Sequence, residues 1–383
     1  AASAFAEDLV IDDFKNFQQT DWKPFGKAKI EKTAEGVKVS ATGGWVRKNY
    51  PGNWKTRADW DQKYNGIAFK AKGNGSNDYA PINVIVGWSL TFRWYIPLKN
   101  TNWQEYRIHF NDFVPAGCYA LEISTTPGNM GISGFKGICF GDRWSIWHNN
   151  AKRQPVSFEI ADIRLISDAK PVYELKKCKT ASLENVKKRM KAGEKVKILC
   201  LGDSITAGTA LSHPDGTRYA DVTGQLLRSK YGCKGVTSKS FAVGGANSWD
   251  VVGWLQRDFD EIPDLVTFMC GYNDFSIGMS PDVYRNFLEM FINRVTALSK
   301  GKTAIVLFAP IPGCGPRFNA HDKYAQVVRD VAKKYGVGCF DANAVFKKKF
   351  TVKTMDSVFR DMAHPGPEGH RIIAENLAEF LGK

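Results

Sequence analysis

The chain has 383 residues, 43% of them hydrophobic and 24% charged, with a formal net charge of +14. That length has room for two domains with separate cores, and no run of about 18 apolar residues is present to cross a membrane as a helix. Eight cysteines form an even set without the spacing of a small disulfide scaffold, and no C-x-x-C pair or clustered His/Cys spacing suggests zinc. Neither a metal, a cofactor nor a fixed disulfide pattern is expected.

The opening residues Ala1-Ala2-Ser3-Ala4-Phe5-Ala6 lack an initiator Met and read like the small-residue end of a cleaved export signal. A secreted, periplasmic or cell-surface location is the expectation, although a trimmed chain would read the same. Residues 7–168 then read as all-β. Short strand-like runs recur at 36–40, 66–70, 82–86, 106–110, 137–140 and 156–160, separated by turn signals such as Gly43-Gly44 and Gly73-Asn74-Gly75-Ser76. Many short strands with Gly- and Pro-rich turns predict a β-sandwich of jelly-roll type.

This half carries nine of the eleven tryptophans: Trp22, Trp45, Trp54, Trp60, Trp88, Trp94, Trp103, Trp144 and Trp147. For any single one, a place in the core is the simpler reading. The surplus suggests a second use, because aromatic faces stack on the C–H faces of sugar rings and an indole N–H bonds a hydroxyl. The segment's start, Val10-Ile11-Asp12-Asp13-Phe14, and its end, Phe158 to Ile166, resemble the terminal strands of carbohydrate-binding β-sandwich modules. That resemblance implies either sugar affinity or a packing role.

Residues 169–195 read as a basic linker with a short helix near 182–192. Lysines and arginines concentrate there, including Lys176-Lys177 and Lys187-Lys188-Arg189. A solvated linker and helix face explains them, since no nucleic-acid motif accompanies the charge. Attraction to an anionic polysaccharide or a cell surface stays open, whereas nucleic acid and membrane insertion are not expected. The oligomeric state is not legible.

From residue 196 to 383, strands and helices alternate. Strands are predicted at 196–201, 237–243, 265–270, 303–308 and 338–341, and helices at 219–229, 249–259, 281–299, 321–335 and 367–381. This is the pattern of a three-layer parallel sheet of flavodoxin type. The irregular stretches 208–217 and 310–319 both follow strand ends and could wall a cleft.

Four short stretches in this half carry groups that acyl transfer needs. They are Gly202-Asp203-Ser204, Val243-Gly244-Gly245-Ala246-Asn247, Gly271-Tyr272-Asn273-Asp274 and Asp361-Met362-Ala363-His364-Pro365-Gly366. A serine hydroxyl attacks only when an adjacent base takes its proton, and an imidazole oriented by a carboxylate suits that task. Backbone N–H groups and a side-chain amide stabilise the oxyanion that forms. Each residue alone has a plainer reading: Ser204 as a helix cap, Asn273 as a turn residue, His364 as a loop residue. Asp203 and Asp274 are read as holding turns, and His370 as packing or capping.

In order and spacing the four blocks resemble the SGNH (GDSL-type) hydrolase family, over nearly all of residues 196–383. The resemblance implies Ser204 as nucleophile, His364 as general base with Asp361 as its acid, and an oxyanion hole from Ser204, Gly245 and Asn273. Gly244 is the one-residue alternative to Gly245, because this chain has Val243-Gly244-Gly245 where many members place a serine before the glycine. No G-x-S-x-G elbow occurs, which argues against an ordinary α/β-hydrolase.

The two-domain order is similar to that of several carbohydrate esterases, including the family 2 enzymes. It implies removal of O-acetyl groups from a plant cell-wall polysaccharide such as acetylated xylan. Trp249 and Arg317 are candidates to line the substrate cleft, with core packing and a surface charge as equal alternatives. Two rival functions remain at this stage: a polysaccharide O-acetyltransferase using the same acyl-serine, and a sugar-binding protein whose hydrolase domain is idle.

Overall fold

The computed structural model describes residues 6–52, 57–87, 90–116, 130–142, 156–173, 179–259 and 261–383. The opening residues 1–5, Lys176-Lys177, Trp54, Trp88, Trp144, Trp147, Cys118 and Cys178 lie outside the described residues. The chain folds into two compact units, Ala1–Leu175 and Lys176–Lys383. The segment 169–195 divides between them. Ala169 and Tyr173 are buried in the first unit, where the backbone N–H groups of Val172 and Tyr173 donate to the Asp112 carboxylate at 3.1 and 3.0 Å.

The first unit is antiparallel throughout. Its strands are β1 (Leu9–Asp12), β2 (Trp22–Lys32), β3 (Val37–Asn49), β4 (Gly66–Lys72), β5 (Tyr79–Val86), β6 (Leu90–Pro97), β7 (Gln104–His109), β8 (Val114–Ala116), β9 (Phe135–Asp142) and β10 (Val156–Ile166), with a single helical turn α1 (Trp60–Lys63). They run in the order β7-β4-β10-β3-β9-β5-β6-β8, with β1 added on β10 and β2 on β3. The 13-residue β3 pairs with β10 through its first half and with β9 through its second, so one strand joins both ends of the sheet. Those ends face each other: Trp94 of β6 meets Phe69 of β4 and Tyr106 of β7 at ring-centroid distances of 6.0 and 5.6 Å. The expected sandwich is thus one sheet folded over a shared core, with alternate residues such as Val37, Val39 and Ala41 turned inward.

The second unit is a five-stranded parallel sheet. Its elements are α2 (Leu183–Lys191), β11 (Val196–Gly202), α3 (Ser204–Ala207), α4 (Tyr219–Ser229), β12 (Val236–Ala242), α5 (Ser248–Asp258), β13 (Leu265–Met269), α6 (Tyr272–Ser276), α7 (Pro281–Ser299), β14 (Ala304–Phe308), α8 (Asp322–Tyr335), β15 (Gly338–Phe340), α9 (Ala342–Lys349) and α10 (Pro367–Gly382). The five strands and the six helices α2, α4, α5, α7, α8 and α10 start and stop within one residue of the predicted bounds. Strand order is β12-β11-β13-β14-β15, the flavodoxin-like arrangement.

Along β13 the side chains alternate: Leu265 and Met269 join the core shared with α4 and α10, while Phe268 meets Phe291 of α7 at 4.2 Å on the other face. Helices therefore cover both faces, and only the loops beyond the strand ends are left to build a site. Here β11 lies between β12 and β13, so the connections leaving its two neighbours diverge, and ligands bind in the crevice that this opens. His370 of α10 is buried and its Nδ1 accepts from Tyr219 N–H at the start of α4 (3.1 Å), which makes it a cap for a neighbouring helix.

Candidate active site

Ser204 follows the last residue of β11 by two positions. The strand can end there because Gly202 has no side chain: a Cβ would lie 2.3 Å from Thr206 Oγ1 and 2.5 Å from the Met269 carbonyl oxygen. Asp203 then turns the chain, its carboxylate accepting from Ile205 N–H at 2.9 Å. This leaves Ser204 8% exposed at the carboxyl edge of the sheet.

His364 reaches the serine from the loop before α10. The Asp361 carboxylate accepts from the backbone N–H groups of Ala363 and His364, both at 2.8 Å, and winds the segment into a tight turn. The same carboxylate lies 2.8 Å from His364 Nδ1 through Oδ2. With Nδ1 donating to Asp361, Nε2 faces Ser204 Oγ at 2.9 Å. The far side of this loop is tied down too, since the Met362 carbonyl accepts from Tyr272 O–H at 2.8 Å and Arg360 N–H donates to the His364 carbonyl at 2.9 Å. Burial pushes the Asp361 carboxyl up, but hydrogen bonds from the His364 ring and the two backbone N–H groups outweigh it, and its pKa falls below the usual 3.8.

The second block forms a turn closed by Ala246 N–H on the Val243 carbonyl at 3.1 Å. Gly245 is its third residue with φ of 80°, a conformation that L-residues with side chains rarely hold. Gly244 stands beside the serine: a Cβ there would lie 3.8 Å from Ser204 Cβ. The third block is held against the second, with Asn273 Nδ2 donating to the Ala246 carbonyl at 2.8 Å. Behind both, Asp274 is fully buried and accepts from Ser248 N–H, Ser248 O–H and Gly271 N–H at 2.9, 2.6 and 2.9 Å. Burial raises the carboxyl pKa values of Asp203 and Asp274, to about 7 and about 6.

The structure brings Ser204, His364 and Asp361 into one hydrogen-bonded chain and sets the Gly244–Gly245 turn and Asn273 around it. Trp249 is elsewhere: it is 7% exposed and packs edge-on against Phe287 of α7 at 6.0 Å, the core-packing alternative. Arg317 is half-buried on the loop after β14, with Nη1 3.5 Å from Tyr272 O–H. Sequence reading passed over Tyr272 and Met362. Tyr272 adjoins Asn273, but nothing in the chain announced a bond across 90 residues to the His364 loop. Among the described residues no group of three His, Cys, Asp or Glu side chains could hold a metal.

A parallel 2-1-3-4-5 sheet with a Ser–His–Asp chain at its carboxyl edge, and no elbow motif, defines an SGNH-type acylhydrolase fold. Residues 200–372 match the GDSL-like Lipase/Acylhydrolase family, and the second unit is a GDSL-type domain. Similar solved structures include Axe2, an acetylxylan esterase from Geobacillus stearothermophilus, with 26% identity, 49% of this chain and 94% of that chain covered and a TM-score of 0.42. A catalytic mutant of Axe2 has 24% identity, with 49% and 94% covered and a TM-score of 0.43. LAE5, an α/β hydrolase enzyme from the metagenome of Lake Arreo, Spain, has 21% identity, with 49% and 95% covered and a TM-score of 0.42. No curated protein matches the chain.

Proposed function

We propose that the second unit is a serine esterase that removes O-acetyl groups from a polysaccharide, with acetylated xylan as its first candidate. The observation that carries the chemistry is the unbroken chain Asp361–His364–Ser204, with spacings of 2.8 and 2.9 Å. In this reading His364 Nε2 takes the Ser204 proton as Oγ attacks the acetyl carbon. The oxyanion that forms accepts hydrogen bonds from the Ser204 and Gly245 N–H groups and from Asn273. The Asn273 amide carries two protons; one goes to the Ala246 carbonyl, leaving the other for the oxyanion.

As the tetrahedral species collapses, His364 returns the proton to the departing sugar oxygen, and the acetyl group stays on Ser204. Water then attacks the acyl-serine with His364 again as base, releasing acetate and restoring the hydroxyl.

The sugar half of the proposal draws on the first unit. Phe25 of β2 is 60% exposed and stacks on Trp45 of β3 at 4.2 Å and 18°, an aromatic pair suited to C–H faces. Trp22 and Trp94 are core residues, by contrast. The test is release of p-nitrophenol from p-nitrophenyl acetate, then of acetate from acetylated xylan, by wild type and Ser204→Ala. Wild-type turnover that falls by a factor of about 10³ or more in the variant supports the reading. Equal rates in the two would remove it, and transfer of acetyl to an added glycan in preference to water would replace it with the transferase.

A further inference from the structure

A cavity of about 390 Å³ lies beside the turn that carries Asp361 and His364. It is walled by Pro316 from the loop after β14, and by Asp356, Phe359, Arg360, Asp361 and Met362 from the segment leading into His364. That volume is within the range of small-ligand sites. Its lining combines two kinds of surface. Phe359, Pro316 and Met362 are apolar, and Met362 is 53% exposed. Asp356 and Arg360 bring a carboxylate and a guanidinium to the same space, and neither forms an ion pair among the described residues.

The charges decide what class of molecule fits. An anion would meet two carboxylates, Asp356 and Asp361, against one guanidinium. A cation would find Asp361 engaged by His364 and two backbone N–H groups, which leaves Asp356 alone to offset Arg360. An acyl chain would strip water from three charged groups without replacing their hydrogen bonds, at considerable cost. A neutral ring bearing adjacent hydroxyls meets every group: its O–H groups donate to Asp356, its oxygens accept from Arg360, and its C–H face lies on Phe359 and Met362. Asp361 is already committed to His364 and two backbone N–H groups, so the ring leaves it undisturbed.

We infer that this cavity is a subsite for a neutral pyranose ring of the polysaccharide, one flanking the acetylated residue, with Arg360 and Asp356 as its polar contacts. The inference rests on the esterase reading above and deepens it from a polysaccharide in general to one recognised over more than one sugar.

The test uses the full chain and the variants Arg360→Ala and Asp356→Asn, whose side chains are exposed and outside the proposed catalytic machinery. Turnover of p-nitrophenyl acetate and the melting temperature are expected to stay within error of wild type. On acetylated xylo-oligosaccharides of three or more rings, kcat/KM is expected to fall tenfold or more, and on an acetylated methyl xyloside to remain unchanged. Equal kcat/KM for variants and wild type on the oligosaccharides overturns the subsite, as does an equal loss on the single-ring ester. Faster wild-type turnover of long-chain p-nitrophenyl esters that is lost in Arg360→Ala would assign the cavity to an acyl chain instead. If wild type cleaves p-nitrophenyl acetate but no glycan ester, the polysaccharide reading fails. Titration of xylohexaose into Ser204→Ala then judges the cavity by itself: binding lost on adding Arg360→Ala upholds it, and no binding overturns it.

Discussion

Asp274 accepts two hydrogen bonds from one residue, Ser248, through its backbone N–H at 2.9 Å and its hydroxyl at 2.6 Å. Asp274 follows Asn273 and Ser248 opens α5 just beyond the Gly245 turn, so this pair fastens the proposed amide donor to the proposed N–H donor. Neither residue touches the reacting atoms. They are positioning residues, and an oxyanion hole depends on donors held in place before the charge arrives.

Asp274→Ala is expected to leave three buried donors without an acceptor, costing about 2–4 kcal/mol of stability. Its kcat on p-nitrophenyl acetate should fall by about tenfold to a hundredfold with little change in KM, because the loss is of transition-state contacts. Ser248→Ala should reproduce the kcat effect more mildly while melting close to wild type. A KM effect with kcat unchanged would show that the pair shapes substrate binding instead.

Gly245→Ala tests the turn directly. A φ of 80° disfavours a residue with a Cβ by about 1–2 kcal/mol, and relief of that strain would rotate the Gly245 N–H away from Ser204. Lower thermal stability together with a kcat loss of at least tenfold is expected. Gly244→Ala provides the control for register: a larger kcat loss there than at Gly245 would move the oxyanion donor back by one residue.

Asp361→Asn should keep the turn, since an asparagine oxygen still accepts from the N–H groups of Ala363 and His364. It should nonetheless lower kcat by about 10²–10⁴, because an amide no longer orients and stabilises the imidazolium. The sign of the pH effect follows from the depressed carboxyl pKa of Asp361. Its contribution to the folded state is complete above the ordinary carboxylate value of about 3.9 and is lost as pH falls through the lower folded value. Acid titration of the turn, followed by NMR of the Asp361 carboxyl carbon, should therefore have its midpoint below the ordinary carboxylate value.

Two buried histidines give a second pH effect of known sign. Burial lowers the pKa of both His321 and His370 to about 4. Stability from keeping them neutral is present above the ordinary value of about 6.5 and lost as pH falls from there towards 4. His321 is fully buried on Tyr272 at 4.3 Å, and neither of its ring nitrogens has a partner among the described residues. His321→Phe should keep the ring contact, gain about 1–3 kcal/mol at pH 5, and flatten the acid limb of a melting-temperature profile. An unaltered limb would place the acid sensitivity at His370.

Much of the second unit was open to reading because its signals are local. Apolar runs bounded by glycine placed β11 through β15, and the amphipathic repeats placed α4, α5, α7, α8 and α10. The unpredicted α9 is short, and its last turn, Lys347-Lys348-Lys349, shows no apolar repeat. In the first unit, β2 was missed because Pro24, Gly26 and a bulge between Gly26 and Ala28 interrupt its alternation. Strand β6 was legible, since Leu90, Phe92 and Trp94 alternate with Thr91 and Arg93 as a half-buried strand does, yet the sequence reading passed over it.

By itself the sequence determined which chemical groups exist and where they emerge: a hydroxyl, two glycine N–H groups and an amide beyond strand ends, and before the last helix an imidazole with a carboxylate three residues ahead of it. Those facts follow from backbone periodicity and turn chemistry, which act over a few residues. Tertiary structure alone decided that His364 meets Ser204, that Trp249 packs on Phe287 rather than facing a cleft, and that Asp274 binds Ser248. It also set Arg360 and Asp356 on one cavity without pairing them. The first three are contacts between segments far apart in the chain, and only the closure of the sheet and its helices brings them within a few ångströms.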